Sequence, residues 1–243
     1  MKKTIIATMM LLSVVTALQA EDSIWNRLFF LDFQYLGEAV IADPLKTGLI
    51  AGGFGAATYL LMKNDLWLSR TVISNRNDFN DAFFNIFNYA GDAVMVLAAD
   101  SLLFALGGEK EKKVAVKVVE GLAVSGAINY VSKVSFGRER PSSTDDPMSF
   151  KWFDFSDNSY PSGHTVVVFT CATIIADAYD IGWITYPVAA LTGLARVYRK
   201  AHWPSDILFG AMIGVITGKI VGYEGHDLKL SAVPGGIDIS CKF

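Results

Sequence analysis

Apolar residues along the chain gather into long stretches rich in small residues, separated by short polar loops, with no internal repeat, long linker or low-complexity segment. That patterning predicts helices near 45–63, 79–106, 112–135, 162–179, 181–197 and 204–222. Gly48 and Gly52, and again Gly214, Gly218 and Gly222, recur every fourth residue. Such spacing lets helix backbones approach closely, in membrane bundles and in tight soluble ones. Two runs free of both charge and histidine beyond the N-terminal segment, Thr47 to Met62 and Ile181 to Ala195, fall short of the roughly 18 residues of a comfortable span. Asp92 and Asp100 interrupt a further apolar stretch, each costing about 2.5–3.5 kcal/mol if set at mid-bilayer. An aromatic-rich segment, Trp25 to Tyr35, is suited to a bilayer surface. The expectation is an all-α fold: a bundle of about six core helices, at least partly membrane-embedded. The tail departs from this period. Leu228, Leu230 and Ala232 alternate with polar residues, Pro234 to Gly236 make a turn, and Ile237, Ile239, Cys241 and Phe243 alternate again, which predicts a short C-terminal β-hairpin.

The first twenty residues carry Lys2 and Lys3, an apolar run from Ile5 to Leu18 and a small residue, Ala20, before Glu21 and Asp22. This reads as a signal peptide over 1–20, with a membrane anchor as the alternative, followed by a single domain over 21–243. The protein is therefore expected in the cell envelope, associated with a membrane on its extracytoplasmic (periplasmic) side. Composition agrees, with 52% hydrophobic and 19% charged residues among 243. Loss of residues 1–20 removes two lysines and leaves 19 basic against 24 acidic residues, a formal charge of −5. Disorder and a nucleic-acid partner are excluded on these grounds. Two cysteines, Cys171 and Cys241, provide neither a disulfide framework nor a zinc cluster.

Three short segments carry candidate chemistry. In Lys133 to Pro141 (KVSFGRERP), Gly137 ends a helix and Pro141 holds Arg140 out of helical geometry, so cations project into a turn. In Tyr160 to Thr165 (YPSGHT), Ser162 is a natural N-cap, Gly163 permits close approach, and His164 stands in a first helical turn whose N–H groups attract anions. In Ala195 to Asp206 (ARVYRKAHWPSD), Pro204 starts a helix and Asp206 lies one turn from His202. There it is expected to accept a hydrogen bond from the ring and fix its tautomer. Each segment alone has an ordinary structural explanation. Together, Lys133, Arg138, Arg140, Arg196, Arg199 and Lys200 face a single acid, Glu139, an accumulation that calls for a polyanion. Charge clamps, a nucleophile and a proton donor are what phosphoryl transfer requires. Between Pro141 and Pro161, Phe150, Trp152, Phe153, Phe155 and Tyr160 mix with Asp145, Asp146, Asp154 and Asp157, as a lipid-touching lid or as an acidic surface loop tucked down by its aromatics.

Lys133 separated by six residues from Arg140-Pro141, then Pro161-Ser162-Gly163-His164, then Arg196 separated by five residues from His202 and His202 by three from Asp206, resemble the tripartite signature of the type-2 phosphatidic acid phosphatase and vanadium haloperoxidase superfamily. The resemblance covers about residues 85–222, with core motifs at 133–206. It implies that His202 attacks phosphorus to form a phosphohistidine, that Asp206 orients it, and that His164 protonates the leaving oxygen. It further implies that Lys133, Arg140, Arg196, Ser162 and Gly163 hold the phosphate, with no metal or other cofactor. One departure is Ala195, where the family usually has serine; weaker binding at most is expected. The implied activity is hydrolysis of a lipid phosphomonoester or pyrophosphate. A soluble-substrate acid phosphatase, a vanadate-dependent haloperoxidase and a non-catalytic phospholipid-binding envelope protein are the alternatives. Substrate identity, number of spans and oligomeric state stay open.

Overall fold

A computed structural model of the chain describes residues 44–156, 158–222, 227–233 and 236–242. The expected signal at 1–20 and the aromatic segment from Trp25 to Tyr35 lie outside the described residues. Eight helices occur among those described: α1 (Pro44–Met62), α2 (Asp65–Ser74), α3 (Asp78–Ala90), α4 (Ala93–Leu106), α5 (Glu109–Phe136), α6 (Gly163–Tyr179), α7 (Gly182–Tyr198) and α8 (Pro204–Gly222). The C-terminal hairpin stays an expectation. Its turn at 234–235 and the side chains of both arms lie outside the described residues, where backbone alone pairs Asp227–Val233 antiparallel with Gly236–Lys242.

The all-α expectation holds, with two differences. The stretch 79–106 is not one helix: it breaks at Gly91 and bends by 60°. Asp92 causes the restart, since its Oδ1 accepts the Val94 and Met95 N–H groups at 3.0 and 3.1 Å and so caps α4. Gly91 permits the bend to pack, because a Cβ there would stand 2.8 Å from the His164 carbonyl oxygen. The second difference is α2, which has no counterpart in the predicted set. Its ten residues carry a weak apolar period, and what it buries is polar, Asp65 and Ser69.

Helix α6 lies at the centre, packed against α5, α7 and α8. Val114 and Val118 of α5, Cys171 and Ile174 of α6 and Val221 of α8 form one apolar cluster, and Val168, Ala172 and Ala189 another. The glycine ladder of α8 is what brings it so near: a Cβ on Gly214 would meet the Val166 carbonyl oxygen and the Thr170 nitrogen at 2.8 Å. Buried threonines on α6 cost little there, because Thr170 and Thr173 donate back to the Val166 and Phe169 carbonyls at 2.8 Å.

Among the described residues two helices, α5 and α8, are long and apolar enough to cross a membrane, and the bent pair α3–α4 would make a third. These are not the stretches with the longest uncharged runs. Helix α5 spans 28 residues and carries its charges mostly at its ends, so counting uncharged residues hides it.

Candidate active site

The site forms where α5 ends and α6 and α8 begin. Gly137 terminates α5 in the left-handed conformation, φ +55°, and a Cβ there would fall 1.8 Å from the Lys151 carbonyl oxygen. Only glycine fits that turn. Beyond it the chain runs beside 149–151, with the Glu139 N–H donating to Ser149 at 3.0 Å and the Lys151 N–H to Gly137 at 2.9 Å. Arg138 and Arg140 consequently face opposite ways.

Arg140 faces the histidine. Its Nη1 donates to the Ala201 carbonyl at 2.8 Å and lies 3.5 Å from His202 Nε2, while Nη2 reaches the Asn158 carbonyl at 3.4 Å. Lys133 Nζ donates to the same Asn158 carbonyl at 2.6 Å. Two cations thus converge beside one imidazole. Arg196, in the last turn of α7, donates through Nη1 to Asn88 of α3. Lys133 and Arg140 act electrostatically on both histidines, and Arg196 on His164.

The expected hydrogen bond between His202 and Asp206 is replaced by another. His202 Nδ1 lies 2.7 Å from the Ser159 carbonyl oxygen but 3.6 Å from Asp206 Oδ2. A carbonyl accepts only, so Nδ1 carries the proton and Nε2 keeps its lone pair toward Arg140. Asp206 is occupied elsewhere: its Oδ2 accepts the Trp203 N–H at 2.8 Å, closing the first turn of α8, and its Oδ1 accepts from Arg138 Nη1 at 2.5 Å.

Ser162 precedes α6, and its backbone N–H donates to the Asp206 carbonyl at 3.2 Å, which ties the starts of α6 and α8 together. It does not cap α6 through its side chain; its Oγ accepts from Thr165 Oγ1 at 3.0 Å. Gly163 would bring a Cβ within 3.4 Å of Asn129 Nδ2. Ala195 is fully buried within α7.

The six-cation cluster inferred from sequence divides. Arg138 is fully buried, salt-bridged to Asp65 and Asp206 and surrounded by the Phe150, Tyr160 and Trp203 rings at 5.5 to 5.9 Å. Arg199 is exposed and donates to Asn85 at 2.9 Å, and Lys200 is exposed beside it. Lys133, Arg140 and Arg196 remain around the histidines. Asp65, Asn88, Asn158 and the Ser159 carbonyl had no signal in the sequence: a lone acid, two isolated amides and a backbone oxygen belong to no pattern.

Burial above all drops the His202 imidazole to about 4, with Lys133 and Arg140 adding to the fall and Asp206 opposing it. His164, in the first turn of α6, also falls to about 4, through burial first and then Arg196. Both rings are neutral at pH 7 with the site unliganded. A phosphate dianion among the same cations would reverse much of their effect.

Of the loop aromatics, Tyr160 is buried and stacks on Phe209 at 4.9 Å. Trp152, Phe153 and Phe155 are exposed, at 61%, 74% and 78%. Asp157 lies outside the described residues. The loop is therefore tucked in at one end and open at the other.

The family model described as the PAP2 superfamily matches residues 114–224. A lipid A 1-phosphatase of Porphyromonas gingivalis is 39% identical over 113 residues, which is 44% of this chain and 23% of that protein. One from Rhizobium etli is 30% identical over 167 residues, 58% of this chain and 71% of that protein. A crystal structure of Aquifex aeolicus LpxE superposes with a TM-score of 0.54 at 28% identity, covering 65% of this chain and 93% of that one. The chain thus spans about a quarter of the Porphyromonas protein and most of the Rhizobium one. Taken with the helical bundle and the signature residues at the joint starts of α6 and α8, these matches show that the chain belongs to the PAP2 superfamily.

Proposed function

We propose that the protein is a membrane-associated phosphatase that hydrolyses a phosphomonoester or pyrophosphate of a lipid through a phosphohistidine. The observation that carries this reading is the His202 ring: Nδ1–H is bound to the Ser159 carbonyl and Nε2 lies 3.5 Å from Arg140 Nη1. In the first step Nε2 forms a bond to phosphorus as the bond to the leaving oxygen breaks, and His164 gives that oxygen a proton. In the second, water attacks phosphorus, the P–Nε2 bond breaks and His164 takes back a proton. Lys133, Arg140, Arg196, Ser162 and the Gly163 N–H hold the phosphate oxygens and offset their charge. Asp206 counters the positive charge that His202 gains. His164 must be protonated to act, and its partner in that is the phosphate dianion, whose arrival raises a pKa that burial and Arg196 depress.

A lipid substrate is supported by the apolar helices α5 and α8, by the exposed aromatics of the 150–156 loop and by the names of the relatives, which act on lipid A. Export through residues 1–20, a single domain over 21–243 and a site on the extracytoplasmic side complete the proposal.

The test is phosphate release from lipid A 1-phosphate, undecaprenyl pyrophosphate, phosphatidic acid and soluble p-nitrophenyl phosphate, with chelator present. Lipid turnover that persists in chelator and falls by about 10³-fold or more in His202→Ala is the expected result. Turnover retained in His202→Ala would overturn the mechanism. Release from the soluble ester alone would overturn the lipid assignment.

A further inference from the structure

Behind the His202 turn lies a buried group that the phosphatase reading does not use. Arg138 Nη1 donates to Asp206 Oδ1 at 2.5 Å and to Ser205 Oγ at 2.7 Å, and Nη2 donates to Asp65 Oδ2 at 2.7 Å. Asp65 in turn accepts the Ser205 N–H at 2.9 Å and the Ser205 hydroxyl at 2.5 Å. All four side chains are fully buried. Burial raises the Asp65 carboxyl above the ordinary carboxylate range, against the smaller pull of Ser205 and Arg138. Every group that touches its oxygens is a donor, which fits the carboxylate. Asp65 comes from α2, ahead of the family-matched residues 114–224.

Two carboxylates share one guanidinium here, so the trio of Asp65, Arg138 and Asp206 carries a net charge of −1 directly behind the His202 ring. That charge has a purpose only when the ring becomes positive, which is the state a phosphorylated Nε2 with a protonated Nδ1 occupies. Were Asp65 absent, Arg138 would belong wholly to Asp206 and cancel it. The field at the imidazole would lose one negative charge, and the start of α8, held to α2 through Ser205, would lose its anchor.

We infer that Asp65 is a positioning residue for the phosphohistidine step: through Arg138 and Ser205 it fixes the Asp206 carboxylate and keeps the pocket behind His202 one charge negative. This rests on the proposed phosphatase reading. It differs from a purely structural role in what it makes sensitive. Binding of phosphate depends on Lys133, Arg140 and Arg196, which Asp65 does not touch. The chemical step depends on the charge of the ring, which Asp65 reaches only through Arg138 and Asp206.

The experiment is Asp65→Asn in the full-length protein, assayed on the substrate that turns over in the panel above. Expected are a fall in kcat of about 10–100-fold with KM within a few-fold, and an acid limb of the pH profile moved to lower pH, because His202 loses a stabilising negative charge. A folded Asp65→Asn protein with wild-type kcat, or with reduced activity and an unmoved acid limb, overturns the inference. If Asp65→Asn fails to fold, Ser205→Ala decides: it removes the hydroxyl link but no charge, so kcat falls by a smaller factor with KM and the acid limb kept, and an unchanged kcat overturns the inference. His202→Ala separates the two levels. Full activity there sinks the phosphatase reading itself; an inactive His202→Ala beside a wild-type-like Asp65→Asn sinks the role of Asp65 alone.

Discussion

Two parts of the molecule are built on opposite terms. Around the starts of α6 and α8 nothing is loose: Arg138, Asp206 and Ser205 have no exposed surface, and backbones touch at Gly214. The 150–156 loop and the outer helices α1 and α3 present large apolar side chains outward, including Phe155, Phe79 and Tyr59. Both carry glycine ladders of the same spacing. Yet Gly214 would collide with α6 on gaining a methyl group, while Gly48 and Gly52 have no described atom within 4 Å of that position. The lesson is that spacing alone does not make a contact; a neighbouring helix does.

The largest expected effect tests the sealed half through acid. An ordinary histidine, with pKa near 6.5, would be protonated at pH 5 and cost about thirtyfold in nucleophile. With His202 held to about 4, kcat/KM for a phosphate ester should be sustained down to that region and fall only below it. The same shift has a cost for the fold. The unfolded chain takes up the proton first, so stability should decline as pH drops from 6.5 toward 4. An activity limb near 6.5 would mean that the ring is open to water.

Next in size is Gly214→Ala. The added methyl would meet Phe169 Cβ at 2.7 Å and backbone atoms of α6 at 2.8 Å, which cannot yield cheaply. Destabilisation of about 1–3 kcal/mol is expected, read as a lower thermal midpoint in detergent. The open half is probed by Phe153→Asn with Phe155→Ser. Asparagine tolerates the φ of +58° that Phe153 adopts. KM for substrate embedded in vesicles should rise by about tenfold, with turnover of any soluble ester kept. Equal loss on both would make the loop structural. The smallest effect belongs to Gly52→Ala on α1, where the change should be neutral or stabilise by up to about 1 kcal/mol. A loss comparable with that of Gly214→Ala would show that α1 is covered.

Sequence reading reached the site through chemistry-bearing side chains at fixed spacing. Gly137 frees the turn that ends α5, Pro141 constrains Arg140 and Pro204 opens α8 just after His202, so the local geometry of Arg140 and His202 followed from short-range rules. What escaped was long-range. Nothing in the residues around Arg138 told it apart from Arg140; the difference is that a carboxylate 73 positions earlier reaches it through the fold. Helix α2 escaped for the same reason, since its buried face is polar and its partner is an arginine. Asp206 was assigned the ring proton because it sits one turn away, but a carbonyl from the Ser159 peptide arrives first.

That carbonyl has a consequence for how the protein can be dissected. The atom that dictates which imidazole nitrogen bears hydrogen belongs to a main-chain unit, and every amino acid supplies the same oxygen at that place. An alanine scan passes over it without a signal. Only a change that rotates the peptide, or an ester put in place of the following amide to weaken the acceptor, would reveal how much turnover rests on it.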